Sequence, residues 1–224
     1  MGFLDDLKKQ ASSLRIEQDE NQQARLRSMQ LVEAAARSAR TFLFELTSSL
    51  DVIRPTPTRR YMLDRQLVLD SPPLTDFRFD ARRRLLRNQE VIDHMTMTCV
   101  ARSARQVVLT KNFVNEIEGL ECRLEQAGIT FDREAVRNED NGKLIEMRYA
   151  FVADVQISVH VACDHDAECL RFTLRNLDAL ETVRCAWPPH ALTQARLDHL
   201  ARWWAGEPHR FLDGAVELRR TEAR

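Results

Sequence analysis

Between residues 29 and 50 apolar side chains recur at alternating intervals of three and four: Met29, Val32, Ala36, Ala39, Leu43, Leu46 and Leu50. That is the 3.5-residue repeat of a packed helix seam. Leu4, Leu7, Ala11 and Leu14 repeat the spacing in a nearly matching phase, but the almost wholly polar "RIEQDENQQAR" separates the two runs. The pattern therefore predicts either one long helix that crosses solvent or a helical hairpin. Two alanines in the seam favour close approach of a neighbour, and Phe42 and Phe44 widen the apolar face. The helix must stop at Arg54-Pro55-Thr56-Pro57, because proline lacks the N–H and restricts the residue before it.

Beyond that boundary the period changes to two, the signature of half-buried strands. Tyr61, Leu63, Leu67 and Leu69 share one face. Phe77, Phe79, Ala81 and Leu85 share a face opposite Arg78, Asp80, Arg82 and Arg84. Met95, Met97 and Cys99 alternate with His94, Thr96 and Thr98, and the short Ser103-Ala104 step before "RQVVLTK" predicts a hairpin. A helix follows, with Phe113, Ile117, Leu120, Leu124 and Ala127 as its stripe and Gly128 placed to end it. Glu118, Glu121 and Glu125 fall on its solvent side.

Asn141-Gly142 between two alternating runs predicts a hairpin closed by a type I′ turn. The run from Lys143 to Ala162 exceeds an ordinary strand, so a bend is expected near Ala150 to Ala153. Strands over Glu168–Asn176 and Leu180–Ala186 lead to Pro188-Pro189 and a last helix reaching about Ala205, with Gly206 beyond it. The charged tail "ELRRTEAR" is expected to fray.

The fold class that emerges is α+β: a helical N-terminal arm, residues 1–54, then a largely antiparallel β-sheet body with two packed helices, residues 55–224. A chain of 224 residues can bury roughly 70% of its unfolded surface and needs no staple to hold a core.

The segment "HVACDHDAEC", His160 to Cys169, is the densest concentration of potential ligands. Val155, Ile157, Val159 and Val161 lie on one strand face, and Leu170, Phe172 and Leu174 on one face of the next. A loop over Asp164–Ala167 pairs Val161 with Leu170 and keeps all of them on one side. Cys163 then faces the core, whereas His160 and Cys169 face away. Opposite faces of a sheet cannot converge on one tetrahedral zinc, nor can Cys163 meet His160 as a nucleophile–base pair. No metal or cofactor is expected, and a metal-dependent enzyme using His160, Cys169 and a residue from elsewhere is the remaining alternative.

Other signatures of chemistry are absent: no G-x-x-x-x-G-K, G-x-S-x-G, H-E-x-x-H or C-x-x-C occurs, and six glycines leave few places for backbone to close on a phosphate. Lys+Arg 33 against Asp+Glu 34 gives a net charge of -1, which argues against a dedicated nucleic-acid binder. Only Lys8, Lys9, Lys111 and Lys143 are lysine, so arginine dominates the cations. Five irregularly spaced cysteines do not form a disulfide framework, two aspartates stand where a signal peptide would be basic, and no stretch approaches the roughly 20 apolar residues of a membrane span. A cytoplasmic setting follows as the expectation.

Two surfaces remain. The seam Met29–Leu50 could join a second copy or another protein, and a non-enzymatic interaction or assembly role through the arm, as a homo-oligomer, is the first expectation. The adjoining Phe3-Leu4-Leu7 face could alternatively rest on a membrane surface, though Asp5 and Asp6 oppose an anionic bilayer. The second surface is the polar side of the sheet, to which alternation assigns Arg78, Thr96, Thr98, Ser158 and the candidate binding residues Arg82, Arg84, Arg148, His160, Arg171 and Thr173. Guanidinium forks there would suit an anionic small molecule or lipid headgroup.

Overall fold

The computed structural model describes residues 3–222, and before residue 21 it describes the side chains of Gln10, Leu14, Arg15, Glu17 and Gln18 only. The elements in chain order are α1 (Phe3–Ile53), β1 (Arg60–Asp64), β2 (Leu67–Asp70), β3 (Leu74–Leu86), β4 (Gln89–Ala101), β5 (Gln106–Lys111), α2 (Val114–Ala127), β6 (Phe131–Arg137), β7 (Leu144–Val152), β8 (Val155–Asp164), β9 (Cys169–Arg175), β10 (Glu181–Trp187), α3 (Gln194–Ala205) and β11 (Val216–Glu222). They form an antiparallel six-stranded sheet, β11-β10-β9-β8-β4-β3, a three-stranded sheet, β5-β7-β6, and the β1–β2 hairpin. The fold class is α+β, as the alternation predicts.

One face of the six-stranded sheet is the core. Met95 and Met97 of β4, Val159 and Val161 of β8, and Phe172 and Leu174 of β9 join one buried cluster with the α1 seam and with Leu197, Leu200, Trp203 and Trp204 of α3. Met29, Val32, Ala36, Ala39, Leu43 and Leu50 are buried and Leu46 is half-buried against this body. This places the seven seam residues, expected to meet a partner, inside the monomer: Ala36 and Ala39 let the helix axis approach the chain's own sheet. The helix is continuous, not a hairpin. From Asn21 to Arg27 every side chain is exposed, so α1 leaves the body before Met29. The expectations for Phe3, Leu4, Leu7 and Ala11 lie outside the described side chains, and Leu14 is exposed.

Where the chain changes sheet, the structure departs from the sequence expectation. Ser103-Ala104 does not close a hairpin. Ala104 takes φ +53°, and Asp154 Oδ1 accepts the N–H groups of both Ser103 and Ala104 at 2.8 Å. The chain is thereby turned out of the six-stranded sheet, and β5 pairs with β7 instead of β4. The expected bend falls at Ala153-Asp154, where the chain crosses back into β8.

Asn141-Gly142 does lie in the β6–β7 hairpin, but only Gly142 has positive φ, +67°. The turn is instead closed by the Gly142 N–H donating to Asn138 O at 2.9 Å, with Asn138 Oδ1 accepting from Asp140 and Asn141. Leu85, assigned to the core side, is exposed beside the turn that joins β3 to β4. The tail is not frayed as far as Glu222: β11 pairs with β10 as an edge strand exposed on both faces. No helix is long and apolar enough to cross a membrane among the described residues.

Candidate anion-binding face of the six-stranded sheet

Strand register sorts the side of the sheet away from α1 into rows. The first row, from β3 through β4 and β8 to β9, is Arg78, Thr98, Ser158 and Arg175. The second is Asp80, Thr96, His160 and Thr173, continuing through Arg184 of β10 to Arg219 of β11. The third is Arg82, His94, Ala162 and Arg171. Arg82, His160, Arg171 and Thr173 are thus brought together, with Arg84 at the margin beside Asp93. Arg148 is not. It lies in β7, the middle strand of the other sheet, bonded to Glu146 at 2.8 Å. Alternation assigns a side chain to a face but cannot say to which sheet the face belongs.

The hairpin of β8 and β9 pairs Val159 with Leu174, Val161 with Phe172 and Cys163 with Leu170. This register is two residues from the expected one, because Asp164 stays in the ladder opposite Cys169 while its Oδ1 accepts from Asp166 and Ala167. A shift of two preserves facing. Cys163 and Cys169 are therefore on opposite sides, and His160 is across the sheet from Cys163. Burial pushes the Cys163 thiol up to about 12 and raises Cys169 as well, so neither is poised as a thiolate. Among the described residues no group of three or more His, Cys, Asp or Glu side chains is placed to hold a metal ion. His165 lies in the expected loop and is buried there: its Nδ1 lies 3.1 Å from Cys163 O and its Nε2 3.8 Å from Glu33 of α1. Glu121 on α2 is likewise engaged, accepting from Tyr149 Oη at 2.8 Å and Arg133 at 3.1 Å.

The face holds two clefts of opposite electrostatic character. The first, of about 420 Å³, is bordered by Arg84, His94, His160 and Arg171, and Asp93, Asp164 and Asp166 also line it. Each arginine here is already neutralised: Arg84 by Asp93 at 3.1 Å, and Arg171 by Asp164 at 3.2 Å and by Glu217. Arg82, just outside, is bonded to Asp80 at 2.9 Å. His160 is held below its ordinary pKa, first by burial and then by His94, whose ring centroid is 5.2 Å away. Its Nδ1 is 2.9 Å from Thr96 Oγ1. Two guanidiniums against three carboxylates leave nothing here to attract an anion.

The second cleft, of about 500 Å³, lies over the first row and beneath the C-terminal end of α2. Arg78, Arg102 and Arg175 line it, with Asp76 as the one acidic side chain of the lining among the described residues. Arg102 is neutralised by Asp76 and, from outside the lining, by Asp154 at 3.1 Å. Among the described residues Arg175 has no carboxylate partner, and it donates to the last carbonyls of α2, Gln126 O at 3.1 Å and Glu125 O at 3.4 Å. Among the described residues Arg78 forms no hydrogen bond or ion pair, and the hydroxyls of Thr98 and Ser158 on the cleft floor bond to no protein atom. The roof is fixed by Asn176, whose Nδ2 donates to Gln126 O at 2.7 Å and Gln156 O at 2.8 Å.

Arg175 could have been found by extending the alternation of Arg171 and Thr173. Arg102 and Gln126 could not, because loop and helix residues reach the cleft only through tertiary structure. Comparison with protein-family models, curated proteins and solved structures finds no match for this chain.

Proposed function

We propose that the chain is a binding module for a small anionic ligand, held between the open face of the six-stranded sheet and the end of α2. One observation carries this: among the described residues Arg78 and Arg175 flank unpartnered hydroxyls in a cleft whose one acidic side chain is already bonded to Arg102. Guanidiniums offer anions bidentate, charge-assisted hydrogen bonds. Five unpaired cysteines fit a reducing, cytoplasmic setting for such a module. The test is thermal denaturation of the full chain against inorganic phosphate, sulfate, citrate and malate. A ligand at one hundred times its Kd stabilises by about 2.7 kcal/mol. Arg78→Ala is expected to remove the shift, whereas Arg171→Ala, whose guanidinium is already bonded to Asp164 and Glu217, retains it. A melting temperature indifferent to all four anions would sink the proposal.

A second reading is favoured by the exposed run Asn21–Arg27: the part of α1 beyond the body serves as a contact arm for a second copy or another protein. An isolated helix in water is marginal and gains from packing. Light scattering on the full chain and on a version lacking residues 1–27 tests it, and equal monomeric masses for both would remove self-assembly.

A further inference from the structure

We infer that the ligand of this cleft is a phosphate monoester of a polyhydroxylated compound, a sugar or polyol phosphate, with its phosphoryl group on Thr98 and Ser158 beside Arg78. This rests on the anion-binding proposal above and narrows it.

The donor set selects the phosphoryl group. Thr98 and Ser158 are directly opposite each other in the β4–β8 ladder, with Arg78 next to Thr98 and Arg175 next to Ser158. Neighbouring strands are about 4.8 Å apart, so the four side chains form one line across the floor. Two hydroxyl donors and a guanidinium fork match three peripheral oxygens, whereas a carboxylate presents two. Charge agrees. Among the described residues Arg78 and Arg175 lack a carboxylate within ion-pair distance, and Asp154, the second carboxylate on Arg102, together with the α2 C-terminus reduces their charge without cancelling it. A phosphate monoester, at about −1.5 to −2 at neutral pH, can take charge-assisted bonds from both guanidiniums, where a monocarboxylate has oxygens for one.

The walls select the body of the ligand. Gln126 Nε2 is committed to Asn176 Oδ1 and Thr182 Oγ1, each at 3.0 Å, which leaves its carbonyl oxygen as an acceptor. Gln156 adds a second amide without a side-chain partner among the described residues. Acceptors of this kind suit hydroxyl groups. Among the described residues no aromatic side chain lines the cleft, so a nucleobase finds no stacking surface there. The volume of about 500 Å³ falls within the range of small-molecule sites and exceeds the needs of the phosphoryl group alone.

Isothermal titration of the full chain with glucose 6-phosphate, glycerol 3-phosphate, inorganic phosphate, AMP, malate and glucose decides the matter, with co-sedimentation on phosphatidylglycerol vesicles as a further arm. Glucose 6-phosphate is expected to bind at least about ten-fold tighter than inorganic phosphate or AMP, and glucose not to bind. Thr98→Val and Ser158→Ala should each weaken it by about ten-fold, the scale of one hydrogen bond to a charged group. Arg78→Gln should weaken it further, with unchanged far-ultraviolet dichroism in all three. Malate binding without any phosphate ester overturns this inference and leaves the anion proposal standing. Binding of none of them overturns both. AMP binding as tightly as glucose 6-phosphate, or vesicle binding tighter than either, overturns the polyol assignment.

Discussion

Gly206 ends α3 at φ +79°, and a Cβ placed there would stand 2.5 Å from Pro57 Cβ. The turn after α1 and the end of α3 thus share a space that only glycine leaves open. Gly206→Ala combines left-handed strain with that clash and is expected to cost about 1–3 kcal/mol, read as a lower urea midpoint at unchanged slope. A second residue-scale expectation concerns acid. Burial and the neighbouring His94 hold the folded pKa of His160 below its ordinary value, and burial does the same for His209, whose ring stacks 4.4 Å from Trp203. For a histidine depressed in the native state, the unfolded chain binds the proton first. Stability is therefore full above about pH 6.5 and falls as pH drops from there through the lower folded values. Denaturation from pH 7.5 to 5 should show this loss, and His160→Asn should reduce it. Asp64 and Asp164, both held below the carboxylate range, add their losses only at lower pH.

At the scale of elements, the α1 seam separates what periodicity can say from what it cannot. Ala36→Leu should destabilise by about 1–3 kcal/mol, because that position is fully buried against the sheet and has no room for three more carbons. Ala24→Leu, on the exposed stretch, should stay within about 0.5 kcal/mol, and parallel denaturant titrations compare the two. The seam was legible because burial recurs with the helical period. Its partner was not, since the same spacing serves a second chain or the chain's own sheet. Facing was legible across β8 and β9 even with the pairing two residues off, because two is the period of a strand. Sheet membership was not: Arg148 and Arg171 alternate alike, and tertiary contacts, among them the Asp154 clasp on Ser103 and Ala104, accompany the passage of β5, β6 and β7 into the other sheet. β11 escaped notice for a further reason. An edge strand wet on both faces needs no alternation and carries charge as protection from pairing, so "ELRRTE" looks like a tail.

For the whole molecule, the long helix poses a question of where the fold begins. A helix of 51 residues extends about 76 Å, and among its described side chains the first buried one is Met29. Removing residues 1–27 takes away no side chain that is described as buried, so the urea midpoint should be unchanged within about 0.5 kcal/mol and the sheet signal retained. Removing residues 1–36 also deletes the buried Met29 and takes Val32 and Ala36 from the cluster that joins α1, α3 and the six-stranded sheet. Each large apolar deletion from such a core costs about 2–5 kcal/mol, against a total stability of about 5–15 kcal/mol, so this version should be largely unfolded. The pair of truncations places the structural boundary within nine residues. If the shorter deletion already lowers the midpoint, then residues before Met29 carry contacts the monomer does not provide. A concentration-dependent midpoint in the full chain would then trace those contacts to a second copy, because only association makes stability depend on protein concentration.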